Sequence, residues 1–229
     1  MVLQVGSLRL QRLLFFFVPP VTASMAMALR SEALWVGAVS SRFQTQGACM
    51  QDPAGLYVMM QAWFERQALI RTVGFGEREV ETIALDWLAK AGKRWRPFLT
   101  ACIYQALRPQ DDAELIRFLS VAVECIHKGS LIYDDIQDGD EQRYGEPTVH
   151  AIHGMPLALT ASLLLIGHGY RMIGEAPFAK EKCNAMLQCA TKGHCDLCLG
   201  QGSELAWMRA PKPLSPSEVL EIFLSLIHI

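Results

Sequence analysis

Residues 115–138, LIRFLSVAVECIHKGSLIYDDIQD, decide how the rest of the chain is interpreted. Their apolar side chains recur at intervals of three and four residues, as Leu115, Phe118 and Ala122 do. This spacing predicts one long helix with a buried face. Because apolar residues also flank the polar ones near its end, we expect the helix to lie inside the protein rather than on its surface.

Three carboxylates gather at the end of this helix. Asp134 and Asp138 are one turn apart, and Asp135 is three residues before Asp138, so all three can converge on one point. Unpaired carboxylates beside an apolar segment repel each other and favour a bound cation. Mg²⁺ suits such a site because it takes hard oxygen ligands together with substrate phosphates. We therefore predict a magnesium site at these three residues.

A polar stripe precedes the carboxylates on the same face. Steps of three and four residues connect its members, which predicts that they line one wall of a cavity: Glu124, His127, Leu131, Asp134 and Asp138. An ordinary solvated face is the alternative. The neighbouring Ile126 and Ile132 argue against it, because they indicate a buried helix.

The remainder of the chain predicts an all-α protein. From about Leu56 onward apolar residues recur at three and four, strand-like alternation is nearly absent, and about six helices result. The segment Met155 to Ile173 is apolar enough to suggest a membrane span, but glycines interrupt it. We favour a buried central helix and no stable membrane span.

Composition excludes some classes of function. The chain has 229 residues, 51% of them hydrophobic, and a formal charge of −2, so no global positive field would attract nucleic acid. Seven cysteines, an odd number, are scattered through apolar helical patterns and favour reduced, buried thiols and a cytoplasmic protein. His194, Cys195 and Cys198 form half of a zinc motif, but no second pair of ligands follows at a suitable spacing.

Residues 1–50 are interpreted as an extension of uncertain origin. Arg9 and Arg12 before the apolar run of residues 13–18 mimic a secretory signal. Two prolines break that run, and we favour a translation start further along, at Met25, Met27 or Met50. The domain itself is predicted over residues 51–223.

A second cluster of charge precedes the long helix. Gly92-Lys93-Arg94-Trp95-Arg96-Pro97 places three cations at the predicted start of a helix, where backbone amides also favour anions. Arg143 follows the carboxylates in a loop and could bind a phosphate bidentately. A basic loop without a ligand is the alternative for the first cluster taken alone.

Together these segments resemble the polyprenyl synthetases. The sequence AGKRWRP at residues 91–97 is similar to that family's GGKRxRP segment, residues 124–150 resemble its first aspartate-rich region (DDxxD), and GQGSELAW at residues 200–207 is similar to a later helix motif. The resemblance covers roughly residues 68–223. It implies part of a class I isoprenoid-synthase-type helical bundle.

The resemblance also implies roles for individual residues. Asp134, Asp135 and Asp138 correspond to the Mg²⁺-binding aspartates on the allylic diphosphate side, and Arg143 to the arginine that holds that diphosphate. The residues implied at the diphosphate of isopentenyl diphosphate, directly or within the same motif, are Gly92, Lys93, Arg94, Arg96 and His127. The implied enzyme is a Mg²⁺-dependent homodimer that joins an allylic diphosphate to isopentenyl diphosphate. The alternatives are a non-catalytic partner subunit of such a synthase and, less favoured because of the basic segment, a class I terpene cyclase.

The chain departs from the family pattern at several positions. Tyr144 stands where a second arginine is usual, and Lys128 and Tyr133 replace smaller or imidazole side chains. No second aspartate-rich motif follows Phe223. We interpret residues 224–229 as a non-native tail and the chain as a fragment, which we expect to be inactive or nearly so by itself.

The residues just before the first aspartate indicate the length of the product. In this family, bulky aromatic residues four and five positions before the first aspartate close the pocket. Ser130 and Gly129 occupy those positions here. They predict a deep pocket and a product longer than farnesyl diphosphate.

Overall fold

The structure is a computed structural model that describes residues 53–90, 92–107 and 112–226. Those residues form nine helices and one two-stranded ladder. In chain order the elements are α1 (Pro53–Trp63), α2 (Arg66–Val73), α3 (Glu79–Ala89), α4 (Trp95–Leu107), α5 (Ala113–Asp138), β1 (Gln142–Arg143), β2 (Glu146–Pro147), α6 (Val149–His153), α7 (Met155–Glu175), α8 (Lys180–Arg209) and α9 (Pro216–Leu226). The all-α prediction is confirmed, with more helices than the six expected.

The long helix α5 is buried inside the protein, as predicted, and packs most extensively against α7. Two glycines allow this close approach. A Cβ atom on Gly129 would lie 2.6 Å from a side-chain carbon of Ile166, and one on Gly169 would lie 2.5 Å from a side-chain carbon of Ile126. Each helix therefore presents a glycine to an isoleucine of the other, which brings the two backbones together.

Buried hydrogen bonds fix how α5 sits against its neighbours. The indole of Trp87 on α3 donates to the carbonyl oxygen of Lys128 at 2.7 Å, and the hydroxyl of Ser162 on α7 donates to that of Gly129 at 2.7 Å. Both carbonyls belong to the middle of α5, so these two bonds fix the helix against α3 and against α7. An apolar core surrounds them, including Leu88, Phe98, Ile132 and Leu165.

The loop predicted after the carboxylates contains a short hairpin. Gln142 pairs with Pro147 and Arg143 with Glu146, in antiparallel register. The two residues between the strands, Tyr144 and Gly145, have φ values of 59° and 79°, as a type I′ turn requires. The sequence indicates only a loop here, because strands of two residues are too short to show an alternating pattern.

Helix α7 is long and apolar enough to cross a membrane, by length and composition alone. Its residues Ala158, Ala161, Leu165 and Met172 are fully buried against the rest of the protein. This is the packing expected of a core helix.

Six cysteines lie in the described residues. Cys102, Cys125 and Cys183 are buried free thiols, whereas Cys189, Cys195 and Cys198 are exposed on α8, in contrast to the expectation that the thiols are buried. The expectations for the N-terminal extension, including Cys49, and for residues 227–229 of the tail lie outside the described residues.

Candidate active site

The acidic end of the site is formed where α5 stops. Gly139 adopts φ 67°, a left-handed conformation that ends the helix directly after Asp138. The hairpin that follows brings Arg143 back over the last turn. Its Nη2 donates to Oδ2 of Asp134 at 2.7 Å, and its Nε donates to Oδ1 of Asp135. Two of the three predicted carboxylates thus share one guanidinium.

The donor set at this end fits a hard cation. Asp135 is fully buried, and its Oδ2 has no hydrogen-bond partner. Burial raises the pKa of Asp135, although the bond from Arg143 opposes that effect. A buried carboxylate oxygen without a partner is costly, and a bound Mg²⁺ would satisfy it.

No three His, Cys, Asp or Glu side chains among the described residues are arranged to hold a metal ion by themselves. At the acidic end this agrees with the position of Arg143, which takes up oxygens of Asp134 and Asp135. The same finding applies to His194, Cys195 and Cys198, the half zinc motif. In the structure, His194 instead lies 2.5 Å from the hydroxyl of Tyr170 through its Nδ1.

A fourth carboxylate, missed as a site residue by sequence analysis, faces this end from α8. Burial raises the pKa of Glu204, and the charges of Asp138 and Asp134 raise it further. Glu204 belongs to the segment GQGSELAW, which was noted as a motif. The signal was therefore present, but only the folded chain shows that Glu204 approaches the aspartates.

An apolar cavity of about 330 Å³ opens beside the aspartates. Helices α5, α7 and α8 line it with Ser130, Tyr133, Asp134, Gln137, Leu163, Ile166, His194, Leu197, Cys198, Gln201, Gly202 and Leu205. Of the polar stripe predicted to form its wall, Asp134 is a lining residue. The other members of that stripe do not line the cavity, because α5 turns a neighbouring stripe toward α8, at residues 130, 133, 134 and 137.

The predicted pocket position of Gly129 is also wrong. Gly129 lies against the backbone oxygen of Ser162, 2.9 Å from where its Cβ would be, so it serves helix packing. Ser130 alone of this pair lines the cavity.

The basic end of the site lies two turns earlier on α5, roughly 10 Å along the helix axis. Here Nη1 of Arg96 lies 3.2 Å from Nε2 of His127. Burial lowers the pKa of His127 to about 3, and the charge of Arg96 adds to this effect. The imidazole is therefore neutral near pH 7. Because Arg96 can only donate, Nε2 accepts and the ring proton lies on Nδ1.

That Nδ1 atom is buried and has no hydrogen-bond partner. A neutral imidazole with its donor unsatisfied favours an acceptor at this point, and a phosphate oxygen would supply one. The structure thus brings Arg96 and His127 together, as predicted. Lys93 is exposed nearby, and its carbonyl oxygen accepts from the hydroxyl of Tyr57 at 3.1 Å.

Arg94 has a different position from the one predicted. Its side chain is 3% exposed and pairs with Glu124 at 3.3 Å. Its Nη2 also donates to the carbonyl oxygens at the end of α3, those of Leu88, Ala89 and Lys90, at 3.2, 3.0 and 3.0 Å. The guanidinium therefore caps a helix C-terminus, and we reassign Arg94 from substrate contact to a structural role.

Comparison with known proteins agrees with this architecture. A family model described as "Polyprenyl synthetase" matches residues 77–224, well over half of the chain. This chain belongs to the polyprenyl synthetase family. The match includes the end of α3, the basic segment, α5 and both ends of the site, so the family segment and the candidate active site coincide.

Individual members of the polyprenyl synthetase family are similar over shorter stretches. The chain is 36% identical over 118 residues to a short chain isoprenyl diphosphate synthase of Methanocaldococcus jannaschii, covering 52% of this chain and 35% of the relative. It is 33% identical over 152 residues to a geranylgeranyl diphosphate synthase of Pantoea ananas, covering 63% and 49%. The matched segment thus spans about a third of the length of the first of these relatives and about half of the second.

Solved structures of the family show the same helical fold. A geranylgeranyl pyrophosphate synthetase of Pyrococcus horikoshii superposes with a TM-score of 0.63 at 27% identity, over 75% of this chain and 53% of that one. One from Geoglobus acetivorans gives a TM-score of 0.66 at 24% identity, over 75% and 55%, and supports the fold alone. The described helices are therefore part of an isoprenoid-synthase bundle.

Proposed function

We propose that the chain belongs to a prenyltransferase that joins an allylic diphosphate to isopentenyl diphosphate and releases a longer all-trans polyprenyl diphosphate. One observation carries this proposal: a single buried helix, α5, presents a carboxylate end and a cationic end about two turns apart, beside an apolar cavity. Two diphosphates need two separate anion sites, and a hydrocarbon chain needs the apolar space.

At the acidic end, Asp134, Asp135 and Asp138 would hold Mg²⁺, with Glu204 close behind them. Bound Mg²⁺ would stabilise the charge that builds on departing pyrophosphate. Arg143 would bind the allylic substrate at the same end. It already forms charge-assisted hydrogen bonds to two carboxylates, and its fork geometry would serve an allylic diphosphate equally well.

At the basic end, Arg96 and Lys93 would supply positive charge to isopentenyl diphosphate, and the Nδ1–H of His127 would donate to a phosphate oxygen. Gly92 leaves room at this end, because a Cβ there would lie 3.6 Å from the hydroxyl oxygen of Tyr144. The bond between the allylic carbon and the diphosphate oxygen would break first, and the double bond of isopentenyl diphosphate would then attack the resulting allylic cation. Loss of a proton completes the new chain.

The apolar wall protects the reacting carbon. Most of the cavity's lining surface is apolar, with contributions from Leu163, Ile166, Leu197 and Leu205, so an allylic cation would meet little water. Ser130 leaves depth at the position where a large side chain would close the space, which supports a product longer than farnesyl diphosphate.

Assembly and location complete the proposal. We propose a homodimer in the cytoplasm, with Mg²⁺ as cofactor and without a nucleic-acid partner. Sedimentation of the purified protein and fractionation of cells that express it would test the first two statements.

The proposal is tested by incubating the complete product of the gene with Mg²⁺, labelled isopentenyl diphosphate and allylic diphosphates of several lengths. We expect a product of one dominant length, lost in Asp134→Asn and retained in the surface control Asp86→Asn. Residues 1–229 by themselves should show little or no transfer. Absence of transfer by the complete product with every primer would contradict the proposal and favour the non-catalytic partner subunit.

A further inference from the structure

Lys128 is a buried cation that the proposed function has not used. It is 1% exposed, although its side chain is long and charged. Its Nζ donates to the carbonyl oxygen of Lys90 at 3.0 Å and lies 4.8 Å from the ring centres of both Trp87 and Tyr144. Two aromatic faces and one carbonyl stabilise an ammonium group only in part.

The surrounding carboxylates do not neutralise the positive charge of Lys128. The nearby carboxylate of Glu124 is 2% exposed; its Oε1 pairs with Arg94, and its Oε2 has no hydrogen-bond partner. No carboxylate lies within 4.0 Å of the Lys128 ammonium in the part of the chain that the structure describes. Burial lowers the pKa of Lys128 to about 8, and the charges of Arg94, Lys90 and Arg143 oppose the attraction of Glu124. A buried excess of positive charge favours an anion from outside.

The position of the ammonium shows where that anion would lie. A Cβ on Gly92 would be 3.8 Å from Nζ of Lys128 and 3.6 Å from the hydroxyl oxygen of Tyr144. Both groups therefore border the basic segment. Lys128 also directly follows His127 on α5. Tyr144 is 50% exposed, and its ring centre lies 4.8 Å from the Lys128 ammonium.

The backbone of Tyr144 supports a role for its side chain. A tyrosine at φ 59° is unfavourable, by about 1 kcal/mol or more, compared with glycine or asparagine at the same place in a type I′ turn. The structure retains it in contact with Lys128. Strain of this kind is typical of functional positions.

We propose that Lys128 and Tyr144 act as one unit at the basic end of the site, where the Tyr144 hydroxyl donates to the diphosphate of isopentenyl diphosphate and the Lys128 ammonium beneath it supplies the charge. This inference rests on the proposed function. It assigns a specificity-determining role to two residues that depart from the family pattern: Tyr144 contacts one of the two substrates, and Lys128 acts through Tyr144 as a positioning residue.

The test compares the Michaelis constants of the two substrates in the complete gene product. We expect Lys128→Met to raise KM for isopentenyl diphosphate about tenfold or more, the usual effect of losing an interaction with a charged partner. KM for the allylic substrate and kcat should change less than twofold. Lys192→Met, which removes an exposed cation of α8, is the matched control.

Further variants keep the test decisive if Lys128→Met does not fold. Tyr144→Phe retains the ring over Lys128 and removes the hydroxyl, and we expect it to raise the same KM severalfold. Tyr144→Arg in the Lys128→Met background should recover part of the loss, because it returns a cation. Equal KM values for isopentenyl diphosphate in wild type, Lys128→Met and Tyr144→Phe would overturn the inference and leave the proposed function intact. A wild type that neither binds nor transfers isopentenyl diphosphate would overturn both.

Discussion

Arg143 donates from Nη2 to Oδ2 of Asp134 at 2.7 Å, so a guanidinium already neutralises a carboxylate proposed to hold Mg²⁺. The arginine and the cation therefore compete for the same oxygen. We expect Arg143→Met to bind Mg²⁺ about tenfold more tightly in the absence of diphosphate, because a charge-assisted bond no longer has to be broken. Calorimetric titration with Mg²⁺ alone would measure this.

The control for that titration is Arg117→Met. Arg117 pairs with Glu114 near the opposite end of the same helix, so its loss should leave Mg²⁺ affinity unchanged. Weaker Mg²⁺ binding by Arg143→Met would show that the arginine supports the metal site rather than competing with it.

Two neighbouring cations should respond differently to substitution. Arg94→Met leaves Glu124 buried without its partner, which we expect to lower the free energy of unfolding by about 3 to 5 kcal/mol. Lys93 is exposed, and Lys93→Met should change stability by less than about 0.5 kcal/mol. Urea denaturation monitored by circular dichroism would compare them. Equal losses in the two variants would refute the structural role of Arg94.

The depressed pKa of Lys128 predicts a stability that depends on pH. Its pKa is about 8 in the folded protein and near 10.5 in the unfolded chain, so between these values the unfolded chain binds more protons. Raising the pH from 8 to 10.5 should therefore stabilise the wild type relative to Lys128→Met. The gain would reach about 3 kcal/mol, since each pKa unit corresponds to about 1.4 kcal/mol.

Urea denaturation of both proteins at intervals from pH 7 to 10.5 would measure that difference. Groups remote from Lys128 that titrate in this range are present in both proteins and cancel in the comparison. A difference that stays constant with pH would mean that Lys128 titrates alike in the folded and unfolded states.

Gly129 and Gly167 offer a matched pair for packing. Gly129→Ala would place a methyl group against Ile166 and the backbone of Ser162, and we expect a loss of about 1 to 3 kcal/mol in unfolding free energy. Gly167 on α7 has open space around its Cβ position, so Gly167→Ala should stabilise the helix by up to about 1 kcal/mol. Thermal unfolding curves would distinguish a clash from a simple propensity effect.

Product length should depend on Ser130. A phenylalanine at this position would fill part of the cavity that Leu163 and Ile166 help to line, and we expect the Ser130→Phe product to be at least one isoprene unit shorter. Ser203→Phe, at an exposed position of α8, is the control. Chromatography of the dephosphorylated products would reveal the change, and an unchanged length would place the end of the pocket elsewhere.

Much of the fold followed from the periodicity of the sequence. The spacing in residues 115–138 predicted the central helix correctly, and the glycine after Asp138 is where that helix ends. The close approach of α5 and α7 was not predictable in this way, because a pattern shows that Gly129 is small but not which helix it faces.

The candidate site was predicted in part. The aspartates, Arg143 and the pairing of Arg96 with His127 could be placed from spacing and resemblance. Sequence alone did not separate Arg94 from Lys93 and Arg96, since three cations within four residues look alike until the fold places Arg94 against Glu124. Glu204 lies 70 residues from Asp134 in the chain, and only tertiary packing relates them.

The contact between Gly129 and Ile166 has a consequence for how the sequence of such a protein can evolve. The distance between α5 and α7 is set at Gly129, whereas the neighbouring Ser130 faces the cavity. Substitutions at position 130 can therefore alter the size of the cavity while the carboxylates one turn later stay in register. Residue 129 determines how the two helices pack, and the adjacent residue 130 helps to determine the size of the cavity. The two properties can therefore vary independently.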